Sequence, residues 1–229
     1  MARNFLHQIT LGISRCLLGD LVRYDGAGKY SVVCCNRLSK HFQLLPICPE
    51  VEAGLAIPRP PVELVENAGE LRVIGRDNKT IDVTQALTTF SQDKVASLDH
   101  LSGFVLTPSS PSCGLHSVSI RSRDGHILSE NNSGLFAKAL VEHFPLLPVI
   151  EEPKLVDVYQ YELFKLKVMM YDYIQHNRQF IAQSNSGLID LLPKMNHETT
   201  KESKIIFVNR WLDTMGYDEL VKILNLITS

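Results

Sequence analysis

Apolar positions in the first 150 residues come in short runs, each followed by a loop rich in Gly, Pro or Ser. Strands buried on both faces of a parallel sheet read this way, with crossover helices between them. The pattern predicts strands at Gln8 to Ser14, Gln43 to Ile47, Gly103 to Thr107 and Leu146 to Ile150. From Lys29 to Phe42 the apolar residues Val32, Val33, Cys35, Leu38 and Phe42 approach the 3.6-residue period, so a crossover helix is expected there. Val62 to Val65 and Leu71 to Ile74 flank Asn67 and Gly69 as a hairpin, and Asp82 caps a helix reaching about Leu101. A short β segment at Ser117 to Ile120 precedes the helix GLFAKALVEHF.

After Leu155 the texture changes to amphipathic helix, with Tyr159, Leu163, Leu166, Val168 and Met169 in one stretch and Ile205 to Met215 in another. Glu151-Glu152-Pro153 is the natural boundary. The fold class expected is α/β: a Rossmann-like open, mostly parallel sheet flanked by helices over residues 1–152, with a small all-helical extension over 153–229. A homodimer through that extension is a candidate assembly. Its tyrosines and Trp211 have helical spacing, which points to core or interface rather than a stacking platform for bases.

Composition narrows the class. With 45% hydrophobic and 21% charged residues the chain is ordinary globular protein, not disordered. No run reaches the roughly 18 to 20 apolar residues a bilayer span needs, and the N-terminal segment lacks a secretory h-region, so a cytoplasmic location is expected. The net charge is −2, and neither the first 150 residues nor the remainder is basic. A nucleic-acid partner would therefore have to be held by a local patch hidden in the total.

Five cysteines, an odd number, are not expected to form disulfides in a reducing compartment. Cys16, Cys48 and Cys113 each lie just past the carboxyl end of an expected strand, in loops RCLLGDLVRYDGAGK, CPEVEAGLAIPRPPVELV and PSSPSCG. In open α/β sheets such loops converge on one edge, where ligands bind. One free cysteine is as readily a small core hydrophobe, and Cys34 and Cys35, inside the expected helix, are read that way. Three in matching contexts point instead to soft-metal ligation by zinc, copper(I) or an iron–sulfur cluster.

The segments SRCLLGDLVRYDG, PICPEVEAGLAIPRPP and SSPSCG, followed by GLFAKALVEHFPLLPV, resemble the signature blocks of the TudS-type thiouracil desulfidase family, in the family's order and over about residues 10 to 150. The resemblance implies a 4Fe-4S cluster held by Cys16, Cys48 and Cys113 with one iron open, and catalytic roles for Glu50 and Ser110. It also implies a substrate that is a thiolated pyrimidine: thiouracil or 4-thiouridine, as base, nucleotide or transfer RNA. The expected reaction is redox-neutral exchange of C=S for C=O with release of sulfide. Where family members often carry lysines before SPSCG, this chain has Thr107, Pro108 and Ser109, which takes phosphate binding away from that loop.

Arg23, Tyr24, Asp25, Arg59 and Ser112 are the remaining candidates for lining a substrate pocket. For Arg23 and Asp25 a structural pair within a turn is the competing reading, and for Ser112 a turn. Arg59, hemmed by prolines, suits a phosphate or a carboxylate. Two alternatives stand beside the desulfidase: a zinc–thiolate hydrolytic or structural protein, and a non-catalytic scaffold whose helical arm binds RNA or protein.

Overall fold

The computed structural model of the chain describes residues 9–67, 69–176 and 200–218. Segments 177–199 and 219–229 of the expected helical extension lie outside the described residues.

A four-stranded parallel sheet forms the centre, with β1 (Thr10–Ser14), β2 (Gln43–Ile47), β5 (Gly103–Leu106) and β8 (Val149–Glu151) in the order β2-β1-β5-β8. Its inner strands are apolar on both faces because both are covered. Residues 103 and 104 point to opposite sides, as successive strand residues must. On one side the Phe104 ring crosses over Gly12 and meets Phe136 of α4 (Leu135–His143), ring centroids 5.5 Å apart. On the other, Gly103 lets Val168 of α5 (Val158–His176) lie flush on the sheet. One apolar cluster runs from Ile9 through Leu11, Phe104 and Leu155 to Val168 and on to Val208 and Leu212 of α6 (Lys201–Asp213). Tyr161 and Tyr171 are buried in it, and the Tyr159 hydroxyl donates to the Met215 carbonyl.

A second four-stranded sheet, which the hydrophobic pattern does not announce, carries β3 (Val62–Asn67), β4 (Glu70–Gly75), β6 (Val118–Ser122) and β7 (Ile127–Asn132) in the order β4-β3-β6-β7. The expected hairpin is β3 with β4, and β6 joins β3 in parallel. Strand β7 was missed because it is an exposed edge with little apolar alternation. Val62, Leu64, Val73 and Val118 close on Leu87 of α3 (Thr84–Ala96), which thereby joins the two sheets.

Two expected helices are shorter than the pattern predicts, and one short helix forms where a proline-rich loop is expected. The crossover between β1 and β2 is helical only over α1 (Val32–Asn36), capped by the Ser31 hydroxyl accepting from the Cys34 amide, and then tightens to a 3-10 turn at Leu38–Lys40. The Ser39 hydroxyl takes the Cys35 carbonyl, and such local bonds compete with helix propagation. Helix α3 stops at Ala96, where the Ser97 hydroxyl takes the Lys94 carbonyl, and Asp82 receives the Thr84 amide at its start. In the proline-rich loop after β2, Pro49 opens one helical turn, α2 (Pro49–Glu52), because proline's missing N–H costs nothing at that position.

A Cβ on Gly12 would stand 2.2 Å from the Phe104 ring, which Phe136 pins from the far side. Gly12→Ala is expected to cost about 2 kcal/mol, in the range for overpacking a rigid core, as measured by urea unfolding.

Candidate active site

The carboxyl ends of β1, β2 and β5 open into a cleft of about 1000 Å³, whose opposite wall is the second sheet. Cys16 sits in the 3-10 turn Arg15–Leu18 that follows β1 and is closed by Gly19 at φ 93°. Cys48 follows β2 immediately and begins α2. Cys113 lies in the loop after β5. All three line the cleft and all are free thiols. Cys34, by contrast, is fully buried away from it, and Cys35 donates to the Leu17 carbonyl.

Burial pushes each of the three thiols above its ordinary pKa, and neighbouring thiols add to the effect at Cys16 and Cys113. For Cys113 burial acts first, with Cys16, Cys48 and Glu50 raising it further and the Ser14 hydroxyl pulling it down. Cys16 is raised by burial and by Cys48, against the Thr107 hydroxyl, Arg23 and Lys29. Cys48 is raised by burial and by Glu50, against Arg59 and backbone amides. Among the described residues, no three His, Cys, Asp or Glu side chains converge on one point as a single ion requires. The thiols share a wall instead. A cubane places each thiolate on a separate iron, so three soft donors spread around one cavity suit it, and the donor set fits the cluster.

Glu50 is firmly held in the cleft. Arg59 Nε and Nη2 both donate to its Oε2, at 2.8 and 2.6 Å, and the Ser112 hydroxyl donates to Oε1 at 3.0 Å. Arg59 Nη1 donates to the carbonyls of Val22 and Ala56, and its amide to the Tyr24 carbonyl. One guanidinium thus ties the Cys16 loop, the Cys48 loop and the carboxylate together. The Glu50 and Arg59 side chains are only 12% and 7% exposed, so the pair is shielded from the screening that weakens surface ion pairs.

Ser110 lines the cleft, and its oxygen accepts from the amides of Ser112 and Cys113 at 3.2 and 3.1 Å, which leaves its proton to donate. Ser112 is buried, and its hydroxyl goes to Glu50 rather than into the cavity. Arg23 and Tyr24 line the cleft, with the guanidinium 5.6 Å from the ring centre. Asp25 lies outside the lining: it takes the Ala27 amide at 3.0 Å and Arg23 Nε at 3.4 Å within its own turn, and the Ala27 bond foremost holds its pKa down.

The remaining wall is basic. Arg15, Arg23, Lys29, Arg59, Arg76, Lys79, Arg121 and Arg123 line the cleft against Glu50, Glu63 and Asp124. Glu63 is shared by Lys79 at 2.5 Å and Arg121 at 3.6 Å. Among the described residues Lys29, Arg76 and Arg123 have no acidic partner. Sequence reasoning missed Arg76, Lys79, Arg121 and Arg123 because they sit in a second sheet whose place over the cleft no local pattern reveals. Ser14 and Thr107 were missed likewise; the Ser14 hydroxyl accepts the Thr107 amide at 3.0 Å, between the Cys16 and Cys113 strands.

A protein family described as 2-thiouracil desulfurase matches residues 11–152. A solved structure described as the [4Fe-4S]-dependent thiouracil desulfidase TudS (DUF523Vcz) is similar at 27% identity and a TM-score of 0.51, covering 65% of this chain and 93% of that one. No curated protein matches the chain.

Removing Arg59 would leave a buried carboxylate with only Ser112. Arg59→Ala is expected to cost about 3 kcal/mol in chemical denaturation, the scale for breaking a buried pair from one side.

Proposed function

Because the chain belongs to the 2-thiouracil desulfurase family, we propose that it is an iron–sulfur desulfidase that replaces the thiocarbonyl sulfur of a thiolated pyrimidine with oxygen from water. The observation that carries this reading is the gathering of three thiols from three adjacent strand ends beside a fixed carboxylate. In this reading Cys16, Cys48 and Cys113 hold a 4Fe-4S cluster. Bound there, it supplies an iron without a protein ligand, a Lewis acid that binds sulfur and polarises the adjoining carbon.

The chain's own residues then divide the work. Glu50 Oε1 has an acceptor position left after Ser112, and it takes the proton of the attacking water. Arg59 and Ser112 stop the carboxylate from swinging into the thiols, so the base stays at one distance from the reacting carbon. Ser110 donates its free proton to a ring heteroatom and fixes the base in plane. Arg23 and Tyr24 form the rim. The balance is R₂C=S plus H₂O giving R₂C=O plus H₂S: Glu50 takes the first water proton and passes it to the departing sulfide, then relays the second from the hydroxyl on carbon as C=O forms, and no electron is gained or lost.

The substrate is a phosphorylated form of the base, a nucleotide or the RNA that contains it, rather than the free base. A neutral pyrimidine has no use for unpaired Lys29, Arg76 and Arg123, whereas a phosphate does. This is the local patch that a net charge of −2 hides.

Anaerobically purified protein is expected to be brown, to contain iron and acid-labile sulfide in equal amounts, and to release sulfide from a thiolated uracil nucleotide. Glu50→Gln should keep the colour and lose activity by about 10² to 10⁴, the contribution of a positioned base. Zinc in excess of iron, or full turnover by Glu50→Gln, would overturn the reading. Arg76→Glu with Arg123→Glu is expected to raise KM about tenfold for a thiolated nucleotide and to leave free thiouracil unchanged, a difference that fades with added salt. Equal effects on both would remove the phosphate contact.

A further inference from the structure

Glu151, the last residue of β8, is a buried carboxylate that the chemistry above does not use, 9% exposed beside Leu106 of β5. An acidic side chain in such a place is costly unless donors are built around it. Here both donors to Oε1 come from one segment, the loop that carries Ser110, Ser112 and Cys113. The Leu115 amide donates at 2.8 Å, and the Ser117 hydroxyl donates as well. Ser117 Oγ in turn accepts the Ser109 amide at 2.7 Å, and Ser109 holds the left-handed conformation at φ 61°, unusual for a residue with a side chain. The two ends of the loop are thereby tied to one carboxylate, and between them Gly114 donates to the Ser110 carbonyl. Gly134 closes the other side, its amide on the Gly114 carbonyl and its Cα so near that a Cβ would stand 2.5 Å from Ser112 backbone.

We propose that Glu151 is the positioning residue for the Cys113 loop: its carboxylate sets where the third thiol and the hydroxyl of Ser112 stand relative to Cys16, Cys48 and Glu50. The significance for catalysis rests on Cys113 being a cluster ligand, but the placement of the thiol is measurable without any metal. Glu151 touches neither thiol nor base. It acts through Leu115 and Ser117 on a loop held otherwise by Ser110 accepting the amides of Ser112 and Cys113, by the amides of Leu135, Phe136 and Ala137 on the Pro111 and Ser112 carbonyls, and by the Ser112 hydroxyl on Glu50.

The test is alkylation of the full-length protein after iron is stripped by a chelator, with the rate at each cysteine read by mass spectrometry and the fold checked by circular dichroism. In Glu151→Ala, Cys113 should react about tenfold faster than in the unaltered protein, as expected for a loop that has lost a charge-assisted bond, while Cys34 stays protected. Glu151→Gln, which retains Oε1 as an acceptor, should bring Cys113 back to within about twofold of the original rate. Ser117→Ala removes one tie and leaves the carboxylate, so it decides the matter should Glu151→Ala fail to fold; it too should speed Cys113. An unchanged Cys113 rate in the folded variants, or a Gln variant as reactive as Ala, overturns the proposal. The iron content of the unaltered protein is a separate readout: absence of iron there would refute the cluster reading and leave the loop assignment standing or falling on the alkylation rates.

Discussion

Strands β2, β1 and β5 run parallel and in register, Ser14 beside Ile47 and Ile13 beside Val105, so the chain leaves all three at the same edge of the sheet. Everything at the site follows from that constraint. Cys16 and Cys48 stand within two residues of their strand ends, and Cys113 returns to the same edge in a loop stapled to β8. Cysteines 32 and 65 positions apart are brought to one cleft by topology, and no local spacing rule is involved. The parallel arrangement itself depends on burial of both faces, which is why Gly12 and Gly103 matter: each lets an aromatic ring or a helix close on the sheet without a gap.

Convergence alone would bring two buried thiols, a half-buried one and a carboxylate into a costly cluster of like groups. Their pKa values rise for that reason, burial first, with neighbouring thiols adding at Cys16 and Cys113 and Glu50 adding at Cys48 and Cys113. Two carboxylates resolve the polar demand in different ways. Glu50 is matched by a guanidinium that also takes two backbone carbonyls, so one side chain neutralises charge and joins loops. Glu151 is matched by an amide and a hydroxyl of a single loop, and so orders that loop without adding a cation near the thiols. Arginine suits the first role because its planar fork reaches three acceptors at once, which a lysine does not.

The central strands were legible because a buried parallel strand is an apolar run ended by a turn; Gln43 to Ile47 is found at its expected bounds. The family resemblance was legible for the same reason the site is compact: its motifs are the loops at those strand ends. Other features escaped for identifiable physical reasons. Strand β7 is polar and exposed, so it has no hydrophobic period to detect. The helix after β1 is broken by Ser39, whose hydroxyl competes for a helical carbonyl. Arg59 was read as suited to a phosphate or a carboxylate and meets a carboxylate of its own chain, a choice that only the spatial nearness of Glu50 decides.

Charge gives the sharpest separation between what a sum records and what a fold does with it. The chain is almost neutral, yet its cleft is lined by many more cations than anions, because strand β6 and the turns that follow β4 and β6 bring Arg121, Arg76, Lys79 and Arg123 to the wall opposite the thiols. The compensating acids lie elsewhere on the surface. Field lines between low-dielectric walls concentrate in such a cleft, which raises the positive potential at the thiol edge. The two sheets thus serve different needs. The parallel one provides fixed donors at its strand ends, where packing on both faces holds position. The mixed one provides cationic side chains, from β6 and from the turns that follow β4 and β6. The cations on the thiol side act on the thiols directly: Arg23 and Lys29 pull the Cys16 pKa down, and Arg59 does the same for Cys48.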